Sequence, residues 1–155
     1  MMPELYHTPV VRAEMLIRRP VEVVFEAFIE PAITTKFWFT KSSGRVEEGK
    51  KVKWEWEMYG VSDRVFVKRL EENERIHIQS SDGTEVEWTF VSRKDNETMV
   101  TIINSGFKGS GDEIVNTAID SMGGYTMVLC GLKALLEHNI ILNLVPDKAP
   151  DFHVK

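Results

Sequence analysis

The sequence predicts an α+β domain in which a curved antiparallel sheet of about six to seven strands wraps around one long C-terminal helix. Four runs between residues 46 and 106 alternate apolar with polar side chains, and a period of two is typical of a sheet with one buried face. In one run, charged residues alternate with the apolar Val52, Trp54, Trp56 and Met58. Beyond residue 111 the apolar spacing becomes helical. A sheet and a helix that each carry one apolar face bury both faces by packing together.

Length and composition predict one globular domain. The 155 residues are enough for a single core, and we expect a domain over residues 1–155 with its core at about 10–140 and an extended tail over 141–155. The formal net charge of −5 argues against a nucleic-acid-binding surface, which is usually basic. A single cysteine and four scattered histidines predict no disulfide, no metal site and no cofactor that such a site would hold.

The N-terminal sequence and the apolar runs bear on location. Residues 1–10 form a short segment that contains Pro3, Glu4 and Pro9, which is not typical of a signal peptide. No apolar run reaches the ~18 residues that a membrane span needs. We therefore expect a cytoplasmic protein without a membrane span.

The first elements are a strand and two short helices. Residues 11–17 alternate and predict a strand. Pro20 suits a first helical turn, and residues 21–29 have apolar side chains at helical spacing. The pair Glu30-Pro31 predicts the end of this helix, because the residue before proline disfavours helical geometry. Residues 32–37 then predict a second short helix.

The meander follows, with strands predicted over residues 52–59, 61–70, 75–79, 84–91 and 98–104. Gly60, the acidic stretch 71–74, Ser81-Asp82-Gly83 and Lys94-Asp95-Asn96 separate these strands and are typical of turns. Connections this short favour antiparallel neighbours.

The C-terminal part predicts two helices. Asp112 is a suitable cap for a short helix over 112–119, and a longer helix is expected from Asp120 or Ser121, with one apolar stripe made by Met122, Tyr125, Leu129, Leu132 and Leu136. Gly123 and Gly124 each cost a helix about 1 kcal/mol relative to alanine. This cost predicts a close backbone approach or a kink at the two glycines.

This order of elements resembles the START-related superfamily, also called SRPBCC, whose fold is known as helix-grip. The closer resemblance is to the branch named for homologues of the activator of the heat-shock-protein-90 ATPase. Three stretches carry it, namely RPVEVVFEAF at 19–28 with Glu30-Pro31 and Trp38; Asn104-Ser105-Gly106-Phe107; and Gly124-Tyr125 with Leu129, Leu132-Lys133 and Leu135-Leu136-Glu137. At Tyr125 the family usually has tryptophan, so this position departs from the pattern.

The resemblance implies a deep cavity between the sheet and the terminal helix. Across the superfamily such cavities hold lipids, sterols, polyketides or other apolar molecules, and the branch implies no shared catalytic residues. Some relatives are cyclases or hydrolases of aromatic polyketides. The eukaryotic co-chaperones of this branch have an additional N-terminal domain that a chain of 155 residues has no room for.

Two interpretations of the aromatic residues remain open at this stage. They could fill the core completely, or they could line a cavity, since ligand pockets are mostly apolar with a few polar groups. On the second interpretation the predicted ligand-binding residues are Phe37, Trp38, Trp54, Trp56, Met58, Asp63, Trp88, Phe90, Asn104, Met122, Tyr125 and Leu129.

Asp63 and Asn104 are the polar members of this set. Asp63 shares a strand face with Val61, Val65 and Val67, but the opposite phase would bury Phe66 and Leu70 instead. Asn104 is in phase with Val100 and Ile102. Either residue could orient a ligand or could lie at the rim with water as its partner.

No arrangement of residues predicts catalysis. His77 is out of phase with Ile76 and Ile78, and the other histidines have no carboxylate or nucleophile in register. We therefore predict a non-enzymatic protein that binds a small hydrophobic or amphipathic molecule. The rival interpretations are a polyketide cyclase or hydrolase and a module that contacts a chaperone.

Overall fold

The computed structural model describes residues 5–151 and confirms the α+β helix-grip fold. Seven strands form one antiparallel sheet, in the spatial order β1-β7-β6-β5-β4-β3-β2. Their bounds are β1 Val11–Ile17, β2 Lys41–Ser42, β3 Lys51–Trp56, β4 Val61–Glu71, β5 Arg75–Gln79, β6 Glu85–Arg93 and β7 Glu97–Ser105. The helices are α1 Val21–Ile29, α2 Pro31–Thr34, α3 Gly111–His138 and α4 Leu144–Lys148.

The inner face of the sheet follows the alternation in the sequence. In β4, Val65 and Val67 are buried and Phe66 is exposed, so Asp63 lies on the inner face together with these two valines. A register shift between Val67 and Arg69 breaks the strict alternation, and Leu70 beyond it packs against the core. The first of the two phases predicted for β4 is therefore confirmed.

The prediction of two C-terminal helices is wrong. A single helix of 28 residues, α3, runs from Gly111 to His138, and the Ser110 side chain rather than Asp112 caps its first turn by accepting from Glu113 N. Gly124 has no atom within 4 Å of where a Cβ would stand, so no close approach requires a glycine there. The close approach lies at Gly131 instead, where an added Cβ would be 3.3 Å from Phe37 Cβ.

Other boundaries also differ from the predictions. β3 ends at Trp56 and a single 3₁₀ turn follows over Glu57–Tyr59, so the inward alternation does not continue to Met58. The short edge strand β2 has no counterpart among the predicted strands, and α2 is shorter than the predicted 32–37. Within the expected extended tail, α4 forms a helix of five residues.

The helices divide the inner face of the sheet between them. Phe25 and Phe28 of α1 pack against Phe90 of β6, with ring centroids 5.1 and 5.9 Å apart. The apolar side of α3, which includes Leu129 and Leu132, is buried in the same core. Between residues 5 and 151, no helix is both long and apolar enough to cross a bilayer.

Candidate functional site

A cavity of about 520 Å³ lies between the inner face of β3–β5 and the middle of α3. It lies within the range of about 300–1,000 Å³ that is usual for sites of small molecules. The aromatic and aliphatic lining residues are Trp38, Trp54, Trp56, Tyr59, Val61, Ile78, Tyr125, Met127, Val128, Val145 and Ala149; the others are Asp63, Ser80, Asp120, Ser121, Gly124 and Lys148. The aromatic residues were expected to crowd one side of the sheet, and here they leave space beside them.

Trp38 is the centre of a cluster of rings, here called the aromatic wall, which consists of Trp38, Trp54, Trp56 and Tyr125. Its ring centroid lies 5.0 Å from that of Trp54, 6.1 Å from that of Trp56 and 5.9 Å from that of Tyr125. The planes cross at 57°, 65° and 66° respectively. The ring of Phe39 is stacked on that of Trp54, with centroids 4.8 Å apart, and helps to hold Trp54 in place. The wall is therefore made of rings set at steep angles to one another.

Asp63, in β4, contributes a carboxylate from the sheet to the cavity lining. Its Oδ1 accepts hydrogen bonds from Ser81 N at 3.2 Å and from Ser81 Oγ at 2.5 Å. Both bonds come from the segment after β5, so Asp63 also holds that segment against β4. The carboxylate is half-buried on the same inner face as Val65.

Tyr125 lies in α3, across the cavity from Asp63 and the sheet. Burial raises the pKa of its phenol, and the negative charges of Asp63 and Asp82 raise it further. Because the charged form is disfavoured, the hydroxyl stays protonated at neutral pH and can donate a hydrogen bond. Asp63 and Asp82 therefore lie near enough to the Tyr125 phenol to disfavour its charged form.

The segment that contains α4 closes one side of the cavity. The Tyr59 hydroxyl donates to the Val145 carbonyl oxygen, and Lys148 Nζ lies 3.9 Å from Asp120 Oδ1 on α3. A second cavity of about 220 Å³ lies on the other side of this segment and shares Trp38 and Val145 with the first. Its further lining includes Phe37, Met58, Gly131 and residues 141–144.

The predicted site residues separate into three groups. The larger cavity is lined by Trp38, Trp54, Trp56, Asp63 and Tyr125. The smaller cavity is lined by Phe37 and Met58, together with the shared Trp38. Neither cavity has Trp88, Phe90, Asn104, Met122 or Leu129 in its lining.

The positions of the third group have clear causes. Trp88, Phe90 and Leu129 are buried in the core, where α1 and α3 cover them. Met122 is 42% exposed because it lies on the outer side of α3. The amide of Asn104 donates to Glu85 O at 2.8 Å and accepts from Ser121 Oγ at 2.6 Å. Asn104 therefore acts on the cavity only through Ser121, which lines it.

Several lining residues were missed in the sequence. Ile78 could have been found, because it is inward in the alternation of β5. Val145 and Lys148 could not, because they enter the site only through the position of α4 against the sheet. Asp120 and Ser121 were read only as the start of a helix.

No cluster of metal-ligating side chains accompanies the cavity in the part of the chain that the structure describes. Between residues 5 and 151, no group of three histidine, cysteine or acidic side chains is arranged to hold a metal ion. His77 is half-buried on the outer side of β5, with Nε2 3.0 Å from Glu85 Oε1.

Comparison with known proteins gives a family and a set of similar folds. The family model described as "Activator of Hsp90 ATPase homolog 1-like protein" matches residues 18–137. The crystal structure of the protein SSP2350 from Staphylococcus saprophyticus is 28% identical with a TM-score of 0.76, and the match covers 86% of this chain and 96% of that one. No curated protein matches this chain.

Two further structures share the fold at lower identity. The Aha1 dimer from Colwellia psychrerythraea, solved in solution, is 19% identical with a TM-score of 0.71, over 84% of this chain and 97% of that one. DynU16, a protein of the dynemicin biosynthetic locus, is 19% identical with a TM-score of 0.70, over 85% of this chain and 48% of that one. At these identities the likeness shows the fold alone.

Proposed function

The chain belongs to the Activator of Hsp90 ATPase homolog 1-like family, and we propose that it binds a small hydrophobic or amphipathic molecule in the larger cavity. The observation that supports this most is a space of about 520 Å³ bounded by five aromatic side chains and by a few polar groups. In a packed protein core, few voids are larger than a water molecule, so a space of about 520 Å³ is not a gap between packed side chains. The aromatic residues at this position therefore line a space instead of filling it.

Desolvation of the aromatic wall would supply most of the binding free energy. Each square ångström of apolar surface removed from water contributes roughly 25 cal/mol. Trp38, Trp56 and Tyr125 are only partly buried, so a ligand could still cover part of their surface. Asp63, Ser80 and the Tyr125 hydroxyl would orient the ligand, because polar groups in a mostly apolar pocket fix the direction of the molecule.

A fluorescence titration tests the proposal directly. The neutral dye N-phenyl-1-naphthylamine should bind with one site per chain and should change the tryptophan emission, because three tryptophans line the cavity. A flat titration with this dye and with a panel of uncharged, cationic and anionic molecules of aromatic and aliphatic type would overturn the proposal.

Gly124 provides a variant that locates the bound dye, and Met122 provides its control. Gly124 lines the cavity and has no atom within 4 Å of an added Cβ, whereas Met122 is 42% exposed and lies outside the lining. Gly124→Phe should place a ring in the cavity and weaken dye binding at least tenfold. Met122→Phe places the same ring on the outer side of the same helix and should leave the affinity within about twofold. Equal effects of the two variants would place the dye elsewhere.

A further inference from the structure

Asp63 is a half-buried carboxylate without a cationic partner in the described chain. Its two hydrogen bonds come from neutral donors, the backbone amide and the hydroxyl of Ser81. No ion pair joins it to a lysine, an arginine or a histidine between residues 5 and 151, in contrast to Asp120, which lies near Lys148. A carboxylate on the cavity wall attracts an opposite charge that enters the space. A cationic ligand would supply that charge.

The other charges of the lining do not cancel that of Asp63. Asp120 and Lys148 form one pair at 3.9 Å, so the three formal charges of the lining leave an excess of one negative charge. Asp82, just outside the lining, adds to it, since its charge acts on the Tyr125 phenol across the site. The potential that disfavours a phenolate at this wall would favour an ammonium in the same space.

The aromatic wall has the form that suits an organic cation. Ring faces carry negative electrostatic potential, and cations bind within about 6 Å of a ring centroid, most strongly to tryptophan. The planes of Trp54, Trp56 and Tyr125 each cross that of Trp38 at 57–66°. These rings pack against one another, and Trp38, Trp56 and Tyr125 remain only partly buried at the cavity, so an ammonium group in that space would lie beside aromatic surface.

We propose that the larger cavity selects a molecule with an apolar body and a positively charged amine or quaternary ammonium group, held between Asp63 and the aromatic wall. This inference rests on the proposed function and specifies its ligand class. It also predicts discrimination against carboxylates and other anions, because Asp63 would repel them. Acidic lipids and fatty acids are therefore poor candidates for this site.

Three probes of similar size and different charge test the proposal by calorimetry. They are benzyltrimethylammonium, its uncharged carbon isostere neopentylbenzene, and phenylacetate. We expect the cation to bind at least tenfold more tightly than the isostere and phenylacetate to bind more weakly than both. The preference for the cation should decrease as salt is raised, because part of it is electrostatic.

Asp63→Asn removes the charge and keeps an oxygen that can accept the Ser81 hydrogen bonds. It should lower the cation affinity about tenfold and leave the affinity for neopentylbenzene within about twofold. Asp95→Asn is the matched control: it makes the same change of net charge in the turn after β6, where the backbone has φ 59° and tolerates asparagine. It should change neither affinity.

The outcomes separate this inference from the proposed function. Equal affinity for the cation and its isostere would overturn the cation proposal and leave ligand binding intact. Absence of binding by all three probes, together with a flat dye titration, would overturn both. The comparison between probes uses the unmodified protein, so it decides the matter even if Asp63→Asn does not fold.

Discussion

Two glycines of α3 have opposite surroundings, although the sequence gives both the same helical propensity. Gly131 is buried, and a Cβ there would lie 3.3 Å from Phe37 Cβ and 3.4 Å from Phe37 O. Gly124 faces the open space of the larger cavity. The packing of α3 against the segment after α2 thus leaves little room for a side chain at Gly131, whereas at Gly124 the absence of a side chain only enlarges the cavity.

Alanine substitutions should therefore differ in their effect on stability. Gly124→Ala should raise the free energy of unfolding by about 1 kcal/mol, the gain in helix propensity. Gly131→Ala makes the same gain but presses a methyl group against the Phe37 backbone, at a typical overpacking cost of about 1–3 kcal/mol. Urea unfolding should show Gly131→Ala to be less stable than Gly124→Ala by at least about 1 kcal/mol. Equal stability of the two variants would contradict the close contact.

At the scale of the elements, Glu137 joins the end of α3 to the end of β1. Its carboxylate accepts from Lys133 Nζ at 2.7 Å and from Arg18 N at 2.8 Å, and its backbone carbonyl accepts from Arg19 Nη2 at 2.8 Å. Lys133 Nζ also donates to Leu16 O at 2.8 Å. Only 7% of the Glu137 side chain is exposed, so these bonds are little screened by water.

The Glu137 contacts predict a pH-dependent contribution to stability. Burial alone would raise the pKa of Glu137, but the bonds from Lys133 and Arg18 outweigh it and hold this pKa below its usual value. A carboxyl with a lowered folded-state pKa stabilises the fold above its unfolded pKa, and this contribution is lost as the pH falls through the folded pKa. Glu137→Gln should cost about 1–3 kcal/mol at pH 7, and the difference from the unmodified protein should shrink below about pH 4.

Urea unfolding at pH 7 and pH 3.5 measures this difference. Glu72→Gln is the control, because Glu72 is an exposed residue of the turn between β4 and β5. It should change stability by less than about 0.5 kcal/mol at both pH values. A cost for Glu137→Gln that is the same at both pH values would show that the charge is not what stabilises this junction.

At the scale of the whole molecule, the segment around α4 forms a wall of the cavity without belonging to the main core. None of its described residues is fully buried, and it is held by the hydrogen bond from Tyr59 to Val145 O and by the pair of Lys148 with Asp120. Segments with few buried apolar contacts open at low free-energy cost. We expect this segment to control how fast a ligand enters and leaves.

Removal of residues 143–155 should therefore change ligand kinetics more than stability. Stopped-flow measurements with N-phenyl-1-naphthylamine should show dissociation at least tenfold faster, while the midpoint of urea unfolding changes little. Tyr59→Phe, which removes only the hydroxyl, should have a smaller effect in the same direction. Unchanged dissociation rates in the truncated protein would show that the dye leaves by a path that does not involve α4.

The strands and their inner face could be predicted from the sequence, because alternation is a local pattern that the backbone geometry converts into two faces. Which part of that face lines a cavity and which part is covered by the helices could not be predicted. Trp54 and Trp88 have the same inward phase, but Trp54 lines the larger cavity and Trp88 is sealed in the core by Phe28 of α1. The difference depends on where the helices pack, and no periodicity in the strands records that.

The C-terminal half shows the same limit. The change to helical spacing predicted a long helix correctly, but the pair of glycines indicated an interruption that tertiary packing overrides. The contribution of α4 was missed because Pro146 and Pro150 indicate an extended tail, and a helix of five residues is too short to show a helical period in the sequence. Asp63 was identified from the phase of β4, while the absence of a cationic partner for it among residues 5–151 became visible only in the structure.

The two cavities are separated by a partition that contains Trp38 and Val145, which line both. We expect a different rotamer of either side chain to join the chambers without any movement of the sheet or of α3. The largest molecule that fits is then set by the side-chain torsions of this partition. A long, thin guest could extend into the second chamber, whereas a bulky rigid one would be confined to the first.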